Sequence, residues 1–119
     1  MATVTLDRES FATTIENNDV VLVDFWAEWC GPCRMFGPTF EAASEQFPEV
    51  VFGKVDTDEQ RELAGGLEIQ SIPTIMAFRS GYLVFREAGV LSKGQLAGVI
   101  EQVKALDVEE LKAQVAAAE

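Results

Sequence analysis

The stretch VDFWAEWCGPCRM, Val23 to Met35, decides how this chain is read. It continues an apolar run, Val20 to Ala27, and holds both cysteines of the chain, Cys30 and Cys33, separated only by Gly31 and Pro32. An apolar run of this length marks a central strand buried on both faces. From Gly31 to about Gln46 the pattern becomes helical, with Pro32 in the first turn, where a missing N–H does no harm. Pro38 lies inside that helix and is expected to kink it. The two thiols therefore stand at a strand-to-helix junction.

Working outward, Thr3 to Leu6 reads as a short strand. Asp7 then caps a helix whose inner face carries Phe11 and Ile15, and Asn17-Asn18-Asp19 ends it. Val50 to Asp56 is a second buried strand, and Thr57 to Ala64 a short helix closed by Gly65-Gly66. Thr74 to Phe78 and Leu83 to Glu87 form a hairpin around Arg79-Ser80-Gly81. Ser92 and Gln95 are placed as a capping box, ahead of a helix with Leu96, Val99, Ile100 and Val103 on its inner stripe. Phe25, Phe40, Phe47, Phe52 and Phe78 read as core. The order β-α-β-α-β-α-β-β-α predicts an α/β fold, a central mixed sheet flanked by helices. That domain spans residues 1–105. Residues 106–119 form a C-terminal helical extension, capped by Asp107 with Glu110 three residues on; its weak apolar stripe predicts loose attachment.

Bulk properties narrow the function. A chain of 119 residues predicts one domain, large enough to hold a core without disulfide staples. Nine basic against twenty acidic residues give a net charge of −11, which argues against sequence-independent nucleic-acid binding. Apolar runs are of strand length, too short for a membrane span. MATVTLDRES lacks the basic and apolar regions of a signal peptide, so a cytoplasmic location is the expectation; a monomer is the default.

The cysteines then carry the chemistry. A zinc site needs four ligands, and the chain offers two cysteines and no histidine. The same lack removes the base of a cysteine protease. A purely structural bridge stays open, although so short a loop contributes little entropy. Reversible thiol–disulfide exchange fits the placement better. Free N–H groups and the partial positive charge of a helix N-terminus stabilise a thiolate at Cys30. Cys30 is then the nucleophile that forms a mixed disulfide, and Cys33, one turn on, resolves it. Gly31 and Pro32 shape the turn between them. Asp24, a lone carboxylate in an apolar strand, should have a raised pKa.

WCGPC, Trp29 to Cys33, is the signature of the thioredoxin family. VDFWAE before it, and Pro38, Lys54-Val55-Asp56, SIPT (Ser71 to Thr74), Gly81, Gly89 and LSKGQL (Leu91 to Leu96) after it, follow that family's order and spacing. The chain resembles thioredoxins over roughly Val4 to Lys104. The resemblance implies a thioredoxin fold and a protein-disulfide reductase active in cell redox homeostasis. It implies that Asp24 exchanges a proton with Cys33, that Lys54, near Asp24, belongs to the catalytic set, and that Ile72–Pro73 is a cis bond beside the thiols. Trp29, Ile72, Pro73, Ala88, Gly89 and Val90 would form an apolar collar for protein partners, with Trp26 packed beneath as support. No cofactor or metal would be bound. Electrons would come from NADPH through thioredoxin reductase and pass to targets such as ribonucleotide reductase, peroxiredoxin and methionine sulfoxide reductase.

Three departures stand out. Arg34 replaces a common lysine, Gln70-Ser71 replaces a frequent arginine-glycine pair, and the chain continues beyond Ala105. Two rival readings stay open at this point. One is a binding module that uses the collar and not the thiols. The other is an oxidase or isomerase, against which Gly31-Pro32 argues.

Overall fold

The structure, a computed structural model, describes residues 2–118. Its elements are β1 (Thr3–Thr5), α1 (Arg8–Asn17), β2 (Val20–Trp26), α2 (Gly31–Gln46), β3 (Val51–Asp56), α3 (Arg61–Gly66), β4 (Thr74–Arg79), β5 (Tyr82–Ala88), α4 (Lys93–Lys104) and α5 (Val108–Ala118). The sheet order is β1-β3-β2-β4-β5. β3 pairs parallel with both β1 and β2, while β4 runs antiparallel to β2 and to β5. This is the mixed sheet that the element order predicts.

Alternation along β2 divides the core in two. Val20 and Leu22 face Phe36, Phe40 and Phe47 of α2 and Leu96, Ile100 and Val103 of α4. Val21, Val23 and Phe25 face Phe11 and Ile15 of α1, with Leu63 of α3 packed alongside. β2 thus has a helical layer on each side, which is why its sequence is apolar almost throughout. Asp24 shares the parity of Val20 and Leu22, so its carboxylate is committed to the α2 and α4 side.

Local capping follows the sequence closely. Asp7 Oδ1 accepts the Ser10 N–H at 2.8 Å while Ser10 Oγ accepts the Asp7 N–H at 2.9 Å, closing a capping box on α1. Ser92 and Gln95 do the same for α4. The Glu110 N–H donates to Asp107 Oδ1 at 3.1 Å and starts α5. α2 runs unbroken through Pro38.

α3 departs from expectation. It begins at Arg61, because Asp56 Oδ1 accepts the N–H of Asp58 at 2.9 Å and holds residues 56–59 in a turn that competes with helix. It runs through Gly65 and ends on Gly66. The Ile69 N–H reaches Ala64 O and the Glu68 N–H reaches Gly65 O, with Glu68 in the left-handed region at φ 56°. That is the hydrogen-bond pattern of a Schellman cap, with Glu68 where glycine is usual. Arg86 donates to Leu67 O and Glu68 O, which supports the unusual residue.

The hairpin turn is Ser80-Gly81, with φ 50° and 86°, the backbone of a two-residue turn suited to strand twist. Arg79, at the end of β4, donates to the carbonyls of Val103, Lys104 and Leu106 and to Asp19. It thereby satisfies two of the C-terminal carbonyls of α4, those of Val103 and Lys104. α5 has no buried residue; Val108, Leu111 and Val115 are half-buried. No described helix is long and apolar enough to cross a membrane.

Gly53, between β1 and β2 in the sheet, is a packing requirement. A Cβ there would lie 2.9 Å from Leu6 Cγ and closer still to Leu6 Cδ1, and Leu6 is itself buried. Gly53→Ala is expected to lower stability by about 1–3 kcal/mol, read as a lower urea midpoint with an unchanged m-value.

Candidate active site

The site is built on the first turn of α2. Cys30 is its N-cap residue in extended conformation, and its Sγ accepts the Cys33 N–H at 3.2 Å. An N-cap sulfur so placed receives a backbone donor of the kind that stabilises negative charge. Cys30 and Cys33 are joined as a disulfide, with Cα atoms 5.2 Å apart. Gly31 and Pro32 between them are exposed. Cys30 and Cys33 are 5 % and 3 % exposed, so burial scarcely distinguishes the two cysteines. Position does: Cys30 caps the helix and its Sγ lies 3.6 Å from the Ile72 carbonyl oxygen, while Cys33 sits inside the first turn. Ala27, Trp26 and Ile72 pack around the pair.

Asp24 and Lys54 lie directly across from each other in the β2–β3 register. Asp24 is fully buried, and neither carboxylate oxygen has a hydrogen-bond partner among the described residues. Burial pushes its pKa up to about 7, with the nearby Lys54 charge pulling the other way. Lys54 Nζ lies 4.8 Å from the centre of the Trp26 ring, a cation–π contact. Trp26 O accepts from both the N–H and the hydroxyl of Thr57, which ties the end of β2 to the turn after β3.

The second wall comes from the loop before β4. Ile72–Pro73 is cis. Pro73 is buried, and its carbonyl accepts the Gly89 N–H at 2.8 Å, which brings the end of β5 against the loop. Gly89 has φ 109°, a conformation that side chains disfavour. Trp29 is 70 % and Val90 44 % exposed. Ala88 and Gly89 are also exposed, and Ile72 is half-buried. Ser71 and Gln70 stand exposed beside them, lining with Arg86 and Ala88 a shallow cavity of about 330 Å³.

One neighbour has no signal in the sequence pattern. Trp29 Nε1 donates to Asp58 Oδ2 at 2.9 Å, so the exposed indole is held by a carboxylate. The two residues are 29 positions apart, and no spacing rule links them. The nearest hint is the Asp56–Asp58 turn itself.

Residues 2–102 match the family model described as Thioredoxin. "Putative thioredoxin 2" of Streptomyces coelicolor is 50% identical over 115 residues, 97% of this chain and 86% of that protein. The "Bifunctional thioredoxin reductase/thioredoxin" of Mycobacterium leprae is 43% identical over 91 residues, 76% of this chain and 20% of the longer protein. Among solved structures, a mutant thioredoxin from Halobacterium salinarum NRC-1 superposes with a TM-score of 0.81 at 32% identity, covering 88% of this chain and 92% of that one. The same five-stranded sheet that sets Cys30 and Cys33 at the head of α2 is thus shared with proteins of one kind, and the chain belongs to the thioredoxin family, as a thiol–disulfide oxidoreductase that reduces protein disulfides.

Proposed function

We propose that this chain carries electrons from NADPH, by way of thioredoxin reductase, to disulfides of cytoplasmic proteins, with Cys30 attacking and Cys33 resolving. The observation that carries the reading is the environment of the Cys30 sulfur, which caps α2 and takes the Cys33 N–H. In the dithiol state the Cys30 thiolate attacks one sulfur of a target disulfide. The target S–S bond breaks, one target thiolate leaves and is protonated, and a mixed disulfide forms. Asp24 then accepts the Cys33 proton, its pKa of about 7 suiting it to the transfer near neutral pH. Cys33 attacks Cys30 Sγ, the mixed disulfide breaks, and the second target thiolate departs. The target gains two electrons and the Cys30–Cys33 pair loses them.

Lys54 tunes Asp24 by its charge and is a positioning residue. Trp29, Ile72, Ala88, Gly89 and Val90 form the docking rim, with Pro73 behind it. A target strand would lie along the Ile72 backbone. Ser71 and Gln70 on that rim bear on target preference among ribonucleotide reductase, peroxiredoxin and methionine sulfoxide reductase types. A relative that joins a reductase and a thioredoxin in one chain supports thioredoxin reductase as the partner.

NADPH oxidation in the presence of thioredoxin reductase and insulin tests the reading. Turnover proportional to the protein is expected; none above a reaction lacking it would refute the cycle.

Residues 1–105 act as the domain and 106–119 as an extension outside the site. Ending the chain after Leu106, which keeps the Arg79 contact to its carbonyl, is expected to leave insulin reduction unchanged. The loss of stability should be under about 1 kcal/mol, since α5 buries no residue.

A further inference from the structure

Met35 is 73 % exposed, the most exposed large apolar side chain among the described residues. It lies two positions after Cys33 on α2. Helical spacing puts it three residues after Pro32 and four after Gly31, on one face with both, and both are exposed. Cys33 and Phe36, next to that face, turn inward and are buried. Met76, in the middle of the sheet, is fully buried. The thioether of Met35 therefore stands in water on the ridge that flanks the cysteine pair.

Its chemistry depends on the state of that pair. In the dithiol form a thiolate outcompetes a thioether for peroxide. In the disulfide form no thiol remains in the chain. Among the described residues the exposed Met35 is then the accessible soft sulfur nucleophile. We propose that Met35 is a peroxide-oxidised modification site of the disulfide form, and that its sulfoxide weakens docking of the reductase that restores the dithiol. The step balances simply. A lone pair on Met35 Sδ attacks one oxygen of hydrogen peroxide, the O–O bond breaks, the S–O bond forms, and water leaves. Sulfur loses two electrons and peroxide gains them. The product puts a strong acceptor where a partner would cover an apolar ridge, and burying it unpaired costs binding energy. Oxidised protein would be held out of the cycle until the sulfoxide is reduced. The docking half of this proposal rests on the partner face proposed above; the oxidation half does not.

The test treats the disulfide form of the full chain with hydrogen peroxide and maps oxidation by peptide mass spectrometry. Met35 is expected to convert at least about ten-fold faster than Met76, following exposure. Treated protein is then assayed with thioredoxin reductase, and separately with dithiothreitol, which needs no docking face. The reductase kcat/KM should fall about three- to ten-fold, with the dithiothreitol rate unchanged. Met35→Leu, which retains Met1 and Met76, should keep its own untreated value after peroxide. Oxidation of Met76 as fast as Met35 overturns the site. An equal loss in treated Met35→Leu, or a loss with dithiothreitol, overturns the docking effect. Absence of reductase turnover in untreated wild type would instead sink the functional reading, and the docking effect with it, while the peptide map still decides the modification site.

Discussion

A Cys30→Ser variant is expected to reduce insulin more than about a thousand-fold more slowly than wild type, because a neutral hydroxyl would replace the thiolate proposed as the nucleophile. The loss should come without unfolding. Serine is a good N-cap, so its Oγ can accept the Cys33 N–H that Cys30 Sγ accepts now. Far-UV circular dichroism would check that point. Cys33→Ser should behave differently. It retains the attacking sulfur and loses the resolving one, so it should accumulate mixed disulfides with its targets. Non-reducing electrophoresis after mixing with a disulfide-bonded substrate separates the two variants. Equal trapping by both, or insulin turnover by Cys30→Ser within about ten-fold of wild type, would overturn the assignment of roles.

The second large effect concerns Asp24 and pH. Its pKa in the folded protein is about 7, against an ordinary value of 3.8, and burial is the main cause. The folded state therefore holds this proton more tightly than the unfolded state does. Its contribution to stability is fully present below about pH 4 and is lost as pH rises toward and through about 7. Above that range, folding must bury an unpaired carboxylate whose oxygens have no hydrogen bond among the described residues. Asp24→Asn removes the ionisation. The variant is expected to exceed wild type in stability by about 3–4 kcal/mol near pH 8.5 in the disulfide form, and by little near pH 4. Urea denaturation at the two pH values reads the difference; a gain independent of pH would show that ionisation is not the cause. The same variant should resolve mixed disulfides about ten- to a hundred-fold more slowly near neutral pH, having lost the proposed proton acceptor. Greater stability with slower turnover is the combination that marks a buried group kept for chemistry.

Much of this site is legible in the residues because its central parts are local. Cys30 and Cys33 are three positions apart, and a helix start dictates how they meet. Asp24 announces itself as a carboxylate inside an apolar strand. The Asp7, Ser92 and Asp107 caps are short-range patterns, and each forms as spaced. The limits of α3 differ from the sequence expectation for a local reason too. The Asp56 side chain offers the backbone a turn in place of helix, and Glu68 takes a left-handed conformation that composition would assign to glycine. Asp58 under Trp29, Thr57 on Trp26 and Arg79 across the end of α4 could not be read in advance. Each joins residues more than twenty positions apart, and no periodicity encodes such meetings.

The sequence by itself determined the element order, the buried central strand and the thiol pair at a helix start, because these follow from spacing within a few residues. Only the tertiary structure decided that Ile72 presents its carbonyl to Cys30, that Gly89 closes against Pro73, that Lys54 lies over Trp26 and that Met35 alone of the described methionines faces water. Those facts depend on how β3, β4 and α2 are brought together around β2, and it is burial of the two apolar layers that sets that arrangement.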